Sequence, residues 1–480
     1  MNSNPIIVLM RRDLRLEDNP ALYHARETGN PVLPVFNLDE SEDFAPGAAA
    51  LWWLHYSLAD LSASFEKAGT QLILRRGDTA EQIPQIVRET GAQCVYWNRR
   101  YAGAHVEADK KLKKRLQDDG IDAQSFNGAL LREPWELKTG SGGHFRVFTP
   151  MWRALQKAAP ARDEPLPGLR KIEGPETYPP SDALDDWSLL PTKPNWAAAF
   201  ADQWTPGERG AAKKLRAFLD NAAAAYGDDR NRPDLKGTSR LSPHIAFGEI
   251  SPLQIWMTVK DRIASGDIPE GEAMTFLSEI AWREFSHVLL YHYEHLRTEP
   301  LQEKFAKFPW RENEPDLEAW RRGRTGYPIV DAGMRELWET GWMHNRVRMI
   351  VGSFLVKHLL LPWQKGEAWF WDTLVDADPA NNSASWQWIA GCGADAAPYF
   401  RIFNPITQGE KFDPDGAYTR KWVPEVAGLP KKYLQKPWEA PVTILKDAGI
   451  DLGHTYPHPI VDHAAARQRA LDAFESTKQS

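Results

Sequence analysis

The stretch Ile6-Ile-Val-Leu-Met-Arg-Arg-Asp-Leu-Arg15 decides how the first part of the chain folds. Its apolar run, Ile6 to Met10, is short and ends in charged residues, which is typical of a strand buried on both faces of a sheet. Similar runs, which we predict to be strands, follow at Pro31 to Phe36, Gln71 to Leu74, Gln93 to Trp97 and, more weakly, Ala123 to Phe126.

Segments with helical periodicity separate these runs, at Ala48 to Ala68, Glu81 to Thr90 and Val106 to Asp118. Strands that alternate with helices form βαβ units, so we predict an α/β domain with a doubly wound parallel sheet over residues 1–132. The first strand leads into Arg11-Arg12-Asp13 and not into G-x-G-x-x-G, which argues against a Rossmann dinucleotide site.

The pattern changes after residue 132. A glycine-rich run at 140–143 and the prolines from Pro160 to Pro194 predict a long connector over residues 133–205. From residue 206 to 480 nearly every segment has helical periodicity, so we predict an all-helical domain there. The predicted helices are 208–225, 251–264, 271–297, 315–322, 328–339, 343–360, 366–374 and 383–390.

Composition restricts the class of protein. The net charge of −7 argues only weakly against nucleic-acid binding, since a DNA-binding protein needs one basic face. No apolar run is long enough for a membrane span, and the N-terminal run is not a signal peptide. Cys94 and Cys392 match no metal spacing, so we expect a reduced, cytoplasmic protein without a bound metal. The 21 tryptophans suggest ligand stacking or electron transfer in addition to core packing.

The first of five motifs is Gly237-Thr-Ser-Arg-Leu-Ser-Pro243, which precedes a helical stretch. Hydroxyl and backbone N–H groups at a helix start can bind an anion, and Arg230, Arg232 and Lys236 add positive charge. A capped helix with solvated basic residues explains the same pattern equally well.

The second motif, Phe276-Leu-Ser-Glu-Ile-Ala-Trp-Arg-Glu-Phe285, places Glu279, Trp282 and Arg283 on one helical face. A surface pair of Glu279 and Arg283 beside a packing tryptophan is the alternative interpretation. This motif by itself does not decide between a site and such a pair.

The third motif, Gly341-Trp-Met-His-Asn-Arg-Val-Arg-Met-Ile350, aligns Asn345, Arg348 and Met349 on one face. In an apolar core, the amide and the guanidinium would both need polar partners. The motif therefore favours a pocket.

The fourth motif runs from Leu374 to Trp388 as Leu-Val-Asp-Ala-Asp-Pro-Ala-Asn-Asn-Ser-Ala-Ser-Trp-Gln-Trp. Asp376 and Asp378 offer carboxylates to Arg348 or to ribityl and ribose hydroxyls, and Trp386 and Trp388 point to roughly opposite helical faces. A metal site is the alternative, but no third hard ligand is suitably spaced.

The fifth motif, Tyr399-Phe-Arg-Ile-Phe-Asn-Pro-Ile-Thr-Gln-Gly-Glu-Lys-Phe412, mixes aromatic residues with Arg401, Gln408 and Lys411. This composition is typical of a surface that stacks on bases and binds phosphates. It therefore indicates contact with nucleic acid.

Taken in order, the motifs resemble the photolyase/cryptochrome family, and most closely its class I cyclobutane pyrimidine dimer photolyases. The resemblance covers the whole chain and implies light-driven repair of UV-damaged DNA, a carbon–carbon lyase reaction that requires reduced FAD. The motifs that carry it are Gly-Thr-Ser-Arg-Leu-Ser-Pro, Trp-Arg-Glu-Phe, Trp-Met-His-Asn-Arg, Asn-Asn-x-x-x-Trp-Gln-Trp and Arg-Ile-Phe-Asn-Pro.

The resemblance also implies which residues bind the cofactor and carry electrons. Arg348 would pair with Asp376, and Asn382 would lie near the reactive flavin nitrogen. Trp310, Trp363 and Trp386 would pass electrons from the surface to oxidised flavin. The implied FAD contacts are Tyr226, Thr238, Ser239, Arg240, Leu241, Ser242, Arg348, Asp376, Ala377, Asp378 and Asn382.

A dimer flipped out of the duplex would meet the implied catalytic residues Glu279, Trp282, Asn345, Met349 and Trp388. Trp282 and Trp388 would form the walls of the lesion pocket, and Glu279 would hydrogen-bond the pyrimidine edge. We expect a monomer with no obligate protein partner. The implied DNA contacts are Arg230, Glu279, Trp282, Asn345, Arg346, Arg401 and Gln408.

A second, antenna chromophore stays open between deazaflavin, folate and FMN. The region Tyr101-Ala-Gly-Ala-His-Val-Glu107 lacks the Asn–Glu pair through which some family members bind folate. A deazaflavin or FMN in the crevice of the N-terminal sheet, or no antenna at all, remains compatible with the sequence.

Three other functions compete with dimer repair. A cryptochrome receptor is the first, although we expect the signalling extension to be missing after Ser480. A (6-4) photolyase uses a histidine pair, whereas the corresponding helix here offers Asn345 and Met349, with His344 only adjacent. A nucleotide-binding α/β hydrolase would leave the C-terminal motifs unexplained.

Overall fold

The computed structural model describes residues 4–395 and 400–477. Its N-terminal part contains a five-stranded parallel sheet of order β3-β2-β1-β4-β5. Ile6 of the central strand lies opposite Val32 on one side and Cys94 on the other. The predicted doubly wound sheet is confirmed, with strands β1 (Ile6–Met10), β2 (Val32–Leu38), β3 (Ile73–Arg76), β4 (Cys94–Asn98) and β5 (Asp122–Phe126).

Four helices connect the strands: α1 (Pro20–Glu27), α2 (Ala48–Ala68), α3 (Thr79–Thr90) and α4 (Gly103–Asp118). Helices cover the sheet, and β1 and β2 are buried along their full length. The sequence analysis did not predict α1, because its eight residues are too few to show a clear period. Its start is fixed locally, since the Asn19 side chain accepts a hydrogen bond from Leu22 N at 3.2 Å.

The segment predicted to be a connector contains a regular helix, α5 (Phe148–Ala158), and a short one, α6 (Phe200–Gln203). Phe148, Met151 and Leu155 form the buried stripe of α5. The sequence analysis did not predict this helix. Pro150 in the first turn conceals the helix in the sequence, although proline is tolerated there.

The rest of the chain is predominantly helical, as predicted. The predicted helix 343–360 is shorter, because it ends at Ser353 and continues as a π-helical turn, Phe354–His358. The helices are α7 (Glu208–Asn221), α8 (Tyr226–Asp229), α9 (Ser242–Ala246), α10 (Pro252–Ala264), α11 (Glu270–His292), α12 (Glu314–Arg321), α13 (Pro328–Thr340), α14 (Asn345–Ser353), α15 (Trp363–Thr373), α16 (Pro379–Ala390), α17 (Pro405–Phe412), α18 (Ala417–Trp422), α19 (Lys431–Leu434), α20 (Val442–Asp447) and α21 (His463–Ser476).

The chain forms two compact units whose segments alternate along the sequence. The first unit comprises Met1–Ala224, Ser239–Glu294 and Val375–Ala380. The second comprises Ala225–Thr238, His295–Leu374 and Asn381–Ser480. The predicted domain boundaries after residues 132 and 205 stay predictions.

In the part of the chain that the structure describes, no helix combines the length and the apolar character needed to cross a membrane.

Candidate functional site

The residues expected to form the site are distributed over both compact units. The predicted pairing of Arg348 with Asp376 joins residues of different units and stays a prediction. Tyr399, which opens the fifth motif, lies outside the described residues. The first unit holds Ser239, Arg240, Leu241, Ser242, Glu279, Trp282, Asp376, Ala377 and Asp378, and the second holds the other predicted residues.

In the first unit, the fourth motif begins with a buried strip, Val375–Ala380, that carries two carboxylates. Asp376 is 7% exposed and Asp378 is 6% exposed. Asp378 Oδ1 accepts a hydrogen bond from Ala380 N at 3.1 Å, at the start of α16. Buried carboxylates require polar partners, and a polyhydroxylated ligand can supply them. The two carboxylates can therefore accept hydrogen bonds from the hydroxyl groups of a ribityl or ribose chain.

Arg12, at the end of β1, is a partner of this strip that the sequence analysis missed. Its Nη1 donates to the Ala377 carbonyl at 3.0 Å and to the Ala246 carbonyl at 3.4 Å. Its guanidinium carbon lies 5.5 Å from the centre of the Phe247 ring. Burial lowers the pKa of Arg12, and the neighbouring Asp378 carboxylate opposes that effect. Arg12 thus holds the ends of two segments that carry predicted flavin contacts.

His287 on α11 also approaches the strip, with Nε2 4.0 Å from Asp378 Oδ2. Its Nδ1 lies 3.0 Å from the Arg283 carbonyl, which can only accept, so Nδ1 carries the proton of the neutral ring. Burial lowers the pKa of His287 to about 4, with the Arg283 charge acting in the same direction. Arg12 is consequently the positive group on Asp378 at neutral pH, and His287 is a neutral neighbour.

The segment around Gly237 has the close packing expected of a ligand-binding turn. In the second unit, a Cβ atom at Gly237 would lie 2.7 Å from the Asp229 carbonyl, so only glycine fits there. In the first unit, Arg240 has a φ of +52°, and its guanidinium lies 4.5 Å from the centre of the Trp204 ring. Within the described residues, no side chain caps α9, which counts against the capped-helix alternative.

On α11, Glu279 and Trp282 are both half-buried. The Trp282 indole stacks on the Phe148 ring, with centroids 3.8 Å apart and planes 8° from parallel. Arg283 donates to the Ala129 carbonyl at 2.9 Å and to Glu284 Oε1 at 3.3 Å. Arg283 is therefore bonded to the loop that follows β5 and to its own neighbour on the helix.

On α14, the second unit presents Asn345 at the surface and Arg348 and Met349 half-buried. His344 begins the helix, because its Nδ1 accepts from Arg346 N at 3.2 Å. Arg348 Nε donates to the Met343 carbonyl at 2.8 Å. These contacts fix the helix start, while Asn345 and Met349 are presented at its first turns.

Positive charge concentrates around Arg346 in the second unit. The pKa of Arg346 is lowered by burial and, further, by the charges of Arg230 and Arg401. Its Nη2 donates to Asn231 Oδ1 at 2.6 Å, and its guanidinium lies 4.4 Å from the centre of the Phe412 ring. Arg230 and Arg401 thus lie near enough to act on the charge of Arg346, and these three predicted DNA contacts are called the arginine cluster below. Gln408 is half-buried on α17.

On α16, Asn382 is tied to the preceding helix. Its amide nitrogen donates to Glu367 Oε1 at 3.0 Å and to the Glu367 carbonyl at 3.1 Å. Burial raises the pKa of Glu367, although Arg297 opposes the shift from 3.3 Å away. Trp388 is half-buried and donates from Nε1 to the Asp395 carbonyl at 3.2 Å.

The three tryptophans of the predicted electron route all belong to the second unit. Trp386 is 3% exposed and Trp363 is 1% exposed, whereas Trp310 is half-buried. A Cβ at Gly366 would come within 2.1 Å of the Trp386 ring, so this glycine makes room for the indole. Arg311 N donates to the Leu360 carbonyl at 2.8 Å, which anchors the loop of Trp310 to the segment before Trp363. Trp310 is thus the most exposed of the three, and the order of the route stays a prediction.

A cavity of about 150 Å³ lies at the carboxyl ends of β1, β2 and β4, and it reaches the strip at Asp378. Arg11 and Arg100 line it, and both donate to Asp109 Oδ1, at 2.6 Å and 2.7 Å. Ligands of open α/β sheets bind at this edge, where the strand order reverses. The sequence analysis left a deazaflavin or FMN open in this crevice, but it identified none of the lining residues as its contacts. The lining also includes Leu38, Asp39, Tyr101, His105, Arg283, His287 and Asp378.

No group of three or more histidine, cysteine, aspartate or glutamate side chains that could hold a metal ion occurs within residues 4–395 and 400–477.

Comparison with known proteins agrees with this geometry. A family described as DNA photolyase matches residues 6–170, and the FAD binding domain of DNA photolyase matches residues 276–476. The deoxyribodipyrimidine photo-lyase of Agrobacterium fabrum is 53% identical over 100% of this chain and 99% of its own length. Cryptochrome-1 of Arabidopsis thaliana is 39% identical over 98% of this chain and 70% of its own length.

A crystal structure of a bacterial class III photolyase from Agrobacterium tumefaciens has a TM-score of 0.97 and 52% identity, covering 100% of this chain and 99% of that one. The chain belongs to the photolyase/cryptochrome family, as the motifs indicated, and it carries the FAD-binding domain of that family. This solved relative is a class III photolyase, whereas the motifs were interpreted as closest to class I.

Proposed function

We propose that this chain is a light-driven DNA repair enzyme that splits cyclobutane pyrimidine dimers. The arginine cluster carries the proposal, because it concentrates positive charge on a chain whose net charge is −7. Phosphates are the natural counter-charge for such a cluster. The similarity along the whole chain to proteins named deoxyribodipyrimidine photo-lyase supports the same conclusion. Since the solved relative at 52% identity is a class III photolyase, we assign the chain to that class and not to class I.

We propose that FAD is held by the residues that match the family's motifs. The chemistry of these residues fits FAD. The buried carboxylates of Asp376 and Asp378 can accept hydrogen bonds from hydroxyl groups. The hydroxyls of Thr238, Ser239 and Ser242 can donate to a diphosphate. Reduced FAD, when bound, supplies the electron that light transfers to the dimer and receives it back after ring opening. The remaining proposed contacts are Tyr226, Arg240, Leu241, Arg348, Ala377 and Asn382.

The lesion contacts follow from the side chains that the helices present. Trp282 and Trp388, both half-buried, offer flat apolar surfaces on which a flipped dimer can pack. Glu279 lies one helical turn before Trp282 and is proposed to hydrogen-bond the pyrimidine edge. Asn345 and Met349 complete the proposed pocket. A damaged pair is weakly stacked, so flipping it takes less free energy than flipping a normal base.

The strand on either side of the lesion is proposed to bind the arginine cluster and Gln408. These groups position the phosphates and do not select the base sequence. Trp310, Trp363 and Trp386 are proposed to conduct electrons from the surface inward when the cofactor is oxidised. We expect the enzyme to act as a cytoplasmic monomer.

A (6-4) photolyase is less well supported, because the His344 ring already accepts a hydrogen bond from the backbone of its own helix. It is 2% exposed, its Nδ1 accepts from Arg346 N, and burial lowers its pKa to about 4. A neutral, buried helix-capping ring is unsuited to proton transfer to a lesion near pH 7. A cryptochrome-type light receptor remains the second candidate, favoured by the 39% identity to Cryptochrome-1.

The second chromophore remains open between deazaflavin, FMN and folate. We propose the cavity as its candidate site, since it lies at the edge where open α/β sheets bind ligands. The absorption spectrum of the purified protein checks this proposal, because an additional near-ultraviolet or blue band identifies an antenna.

The deciding experiment uses the purified protein, reduced with dithionite, and duplexes that contain one thymine dimer or one (6-4) photoproduct. We expect blue or near-ultraviolet light to restore thymine only from the dimer, with no turnover in the dark. Repair of the (6-4) duplex alone would reassign the substrate. Protein that retains FAD and photoreduces but repairs neither lesion would indicate a receptor.

A further inference from the structure

Phe148, the first residue of α5, forms the tightest ring stack on a proposed lesion-pocket residue. Its ring lies against the Trp282 indole with centroids 3.8 Å apart and planes 8° from parallel. Phe285 meets both rings edge-on, with centroids 6.1 Å from Phe148 and 5.8 Å from Trp282. The three rings form an aromatic brace, which is the name used below for Phe148, Trp282 and Phe285.

The brace connects two segments that are far apart in the sequence. Trp282 and Phe285 belong to α11, whereas Phe148 comes from the segment predicted to be a connector. Phe148 is 7% exposed and Phe285 is 2% exposed, but Trp282 is only half-buried. Phe148 therefore covers one face of the indole, and a base could pack only on the opposite face.

We propose that Phe148 is a positioning residue for repair: by stacking on Trp282, it fixes the orientation of the indole before the dimer arrives. This inference rests on the proposed role of Trp282 as a wall of the lesion pocket. Without the stack, the half-buried indole could rotate about χ1 and χ2, and the dimer would have to order it on binding. That ordering weakens the binding of the lesion and not the chemistry that follows.

The test is Phe148→Leu, which removes the ring and keeps most of the apolar volume. Aromatic pairs contribute energies that correspond to about a two- to tenfold change in affinity, so we expect Kd for a dimer-containing duplex to rise by that factor. Repair at saturating DNA and Kd for undamaged duplex should stay within about twofold of wild type. Photoreduction should be unchanged, because Trp310, Trp363 and Trp386 belong to the other unit.

Two further variants separate positioning from general destabilisation. Phe145→Leu removes a phenyl ring that is 9% exposed from the same segment and should leave dimer affinity unchanged. Phe148→Tyr keeps the ring and should restore dimer affinity. Equal losses in Phe148→Leu and Phe145→Leu, with matching drops in Tm, would overturn the positioning role.

A double-mutant cycle keeps the inference testable if Phe148→Leu is poorly stable. In a Trp282→Leu background, Phe148→Leu should weaken dimer binding no further, because the face that it supports is already gone. Additive losses would contradict the inference. If Trp282→Leu alone leaves dimer binding unchanged, the proposed lesion wall itself is wrong, which is a separate result from a failure of Phe148.

Discussion

The side-chain nitrogen of Asn382 donates to Glu367 twice, to Oε1 at 3.0 Å and to the backbone carbonyl at 3.1 Å. Both acceptors are oxygen atoms without a hydrogen, so the Asn382 amide must point its NH₂ group, and not its oxygen, toward Glu367. Asn382 Oδ1 is then the atom available to a ligand. If Asn382 lies next to the reactive flavin nitrogen, as proposed, it can accept the hydrogen that this nitrogen bears in reduced FAD.

Glu367→Gln should weaken this preference, because a glutamine side chain can donate as well as accept, and the backbone carbonyl of residue 367 is then the remaining acceptor that holds the amide. Losing about 1 kcal/mol of hydrogen bonding to the reduced form corresponds to a midpoint potential lower by roughly 20 mV for a two-electron couple. Spectroelectrochemistry of the FAD-loaded protein measures the shift. Asp372→Asn, at an exposed carboxylate of the same helix, should leave the potential unchanged. A higher potential in Glu367→Gln would contradict the orientation argued here.

Glu284 makes stability depend on pH. Burial raises its pKa to about 7, although Leu131 N and Arg132 N donate to it. A carboxyl with a raised folded-state pKa stabilises the fold fully below its unfolded-state value of 4.5 and loses that contribution as pH rises through 7. Relative to Glu284→Gln, wild type should lose up to about 3 kcal/mol of unfolding free energy between pH 5 and pH 8. Urea unfolding of both proteins at each pH measures the difference, and parallel pH curves would refute the assignment.

Trp310→Phe should block photoreduction of oxidised FAD and leave repair by chemically reduced enzyme intact. Phenylalanine keeps the contact with Phe308, whose ring centroid is 4.4 Å from that of Trp310, but it is far harder to oxidise. The half-buried Trp310 is the outermost of the three proposed carriers. Illumination followed by absorbance, then a repair assay after dithionite, separates the two processes. Trp135→Phe, at a tryptophan 38% exposed in the other unit, serves as the control.

Arg401→Ala should lower DNA affinity and its dependence on salt. Each phosphate contact contributes a slope of about −0.9 in a plot of log K against log salt, so the slope should become shallower by roughly 1. Damaged and undamaged duplexes should be affected about equally, since the contact is with the backbone. Arg322→Ala removes a cation whose side chain is 70% exposed and pairs with Glu318, and it should leave the slope unchanged. An unaltered slope in Arg401→Ala would remove this residue from the proposed interface.

Arg12→Gln should release FAD more easily. The substitution removes a charged donor to the Ala246 and Ala377 carbonyls, and a hydrogen bond from a charged group contributes about 1.5–3 kcal/mol, or roughly a 10- to 100-fold change in Kd. Titration of apoprotein with FAD measures it by fluorescence quenching. Arg26→Gln, at an exposed arginine, should bind FAD like wild type. Wild-type affinity in Arg12→Gln would show that the two segments hold their positions without it.

The sequence was informative where one local rule dominates. The apolar run Ile6–Met10 identified a buried strand, and the order of five motifs identified the family. The sequence was uninformative where the position of a side chain depends on partners that are distant along the chain. Nothing local in Arg12 indicates that its partners are carbonyls at 246 and 377, and nothing in Phe148 indicates a stack on Trp282. Helix α5 was missed because a proline in its first turn hides an otherwise regular apolar stripe.

The distribution of the first unit along the chain has a consequence for its synthesis. Arg12 leaves the ribosome early, but the Ala377 carbonyl to which it donates follows 365 residues later. At ordinary translation rates of about 5–20 residues per second, that interval is on the order of tens of seconds. During that time the five strands of the sheet are complete, but the first unit still lacks its last buried segment, Val375–Ala380. A nascent chain of this protein should therefore expose the apolar surface that Val375–Ala380 later covers, and it should depend on chaperones until the fourth motif has emerged.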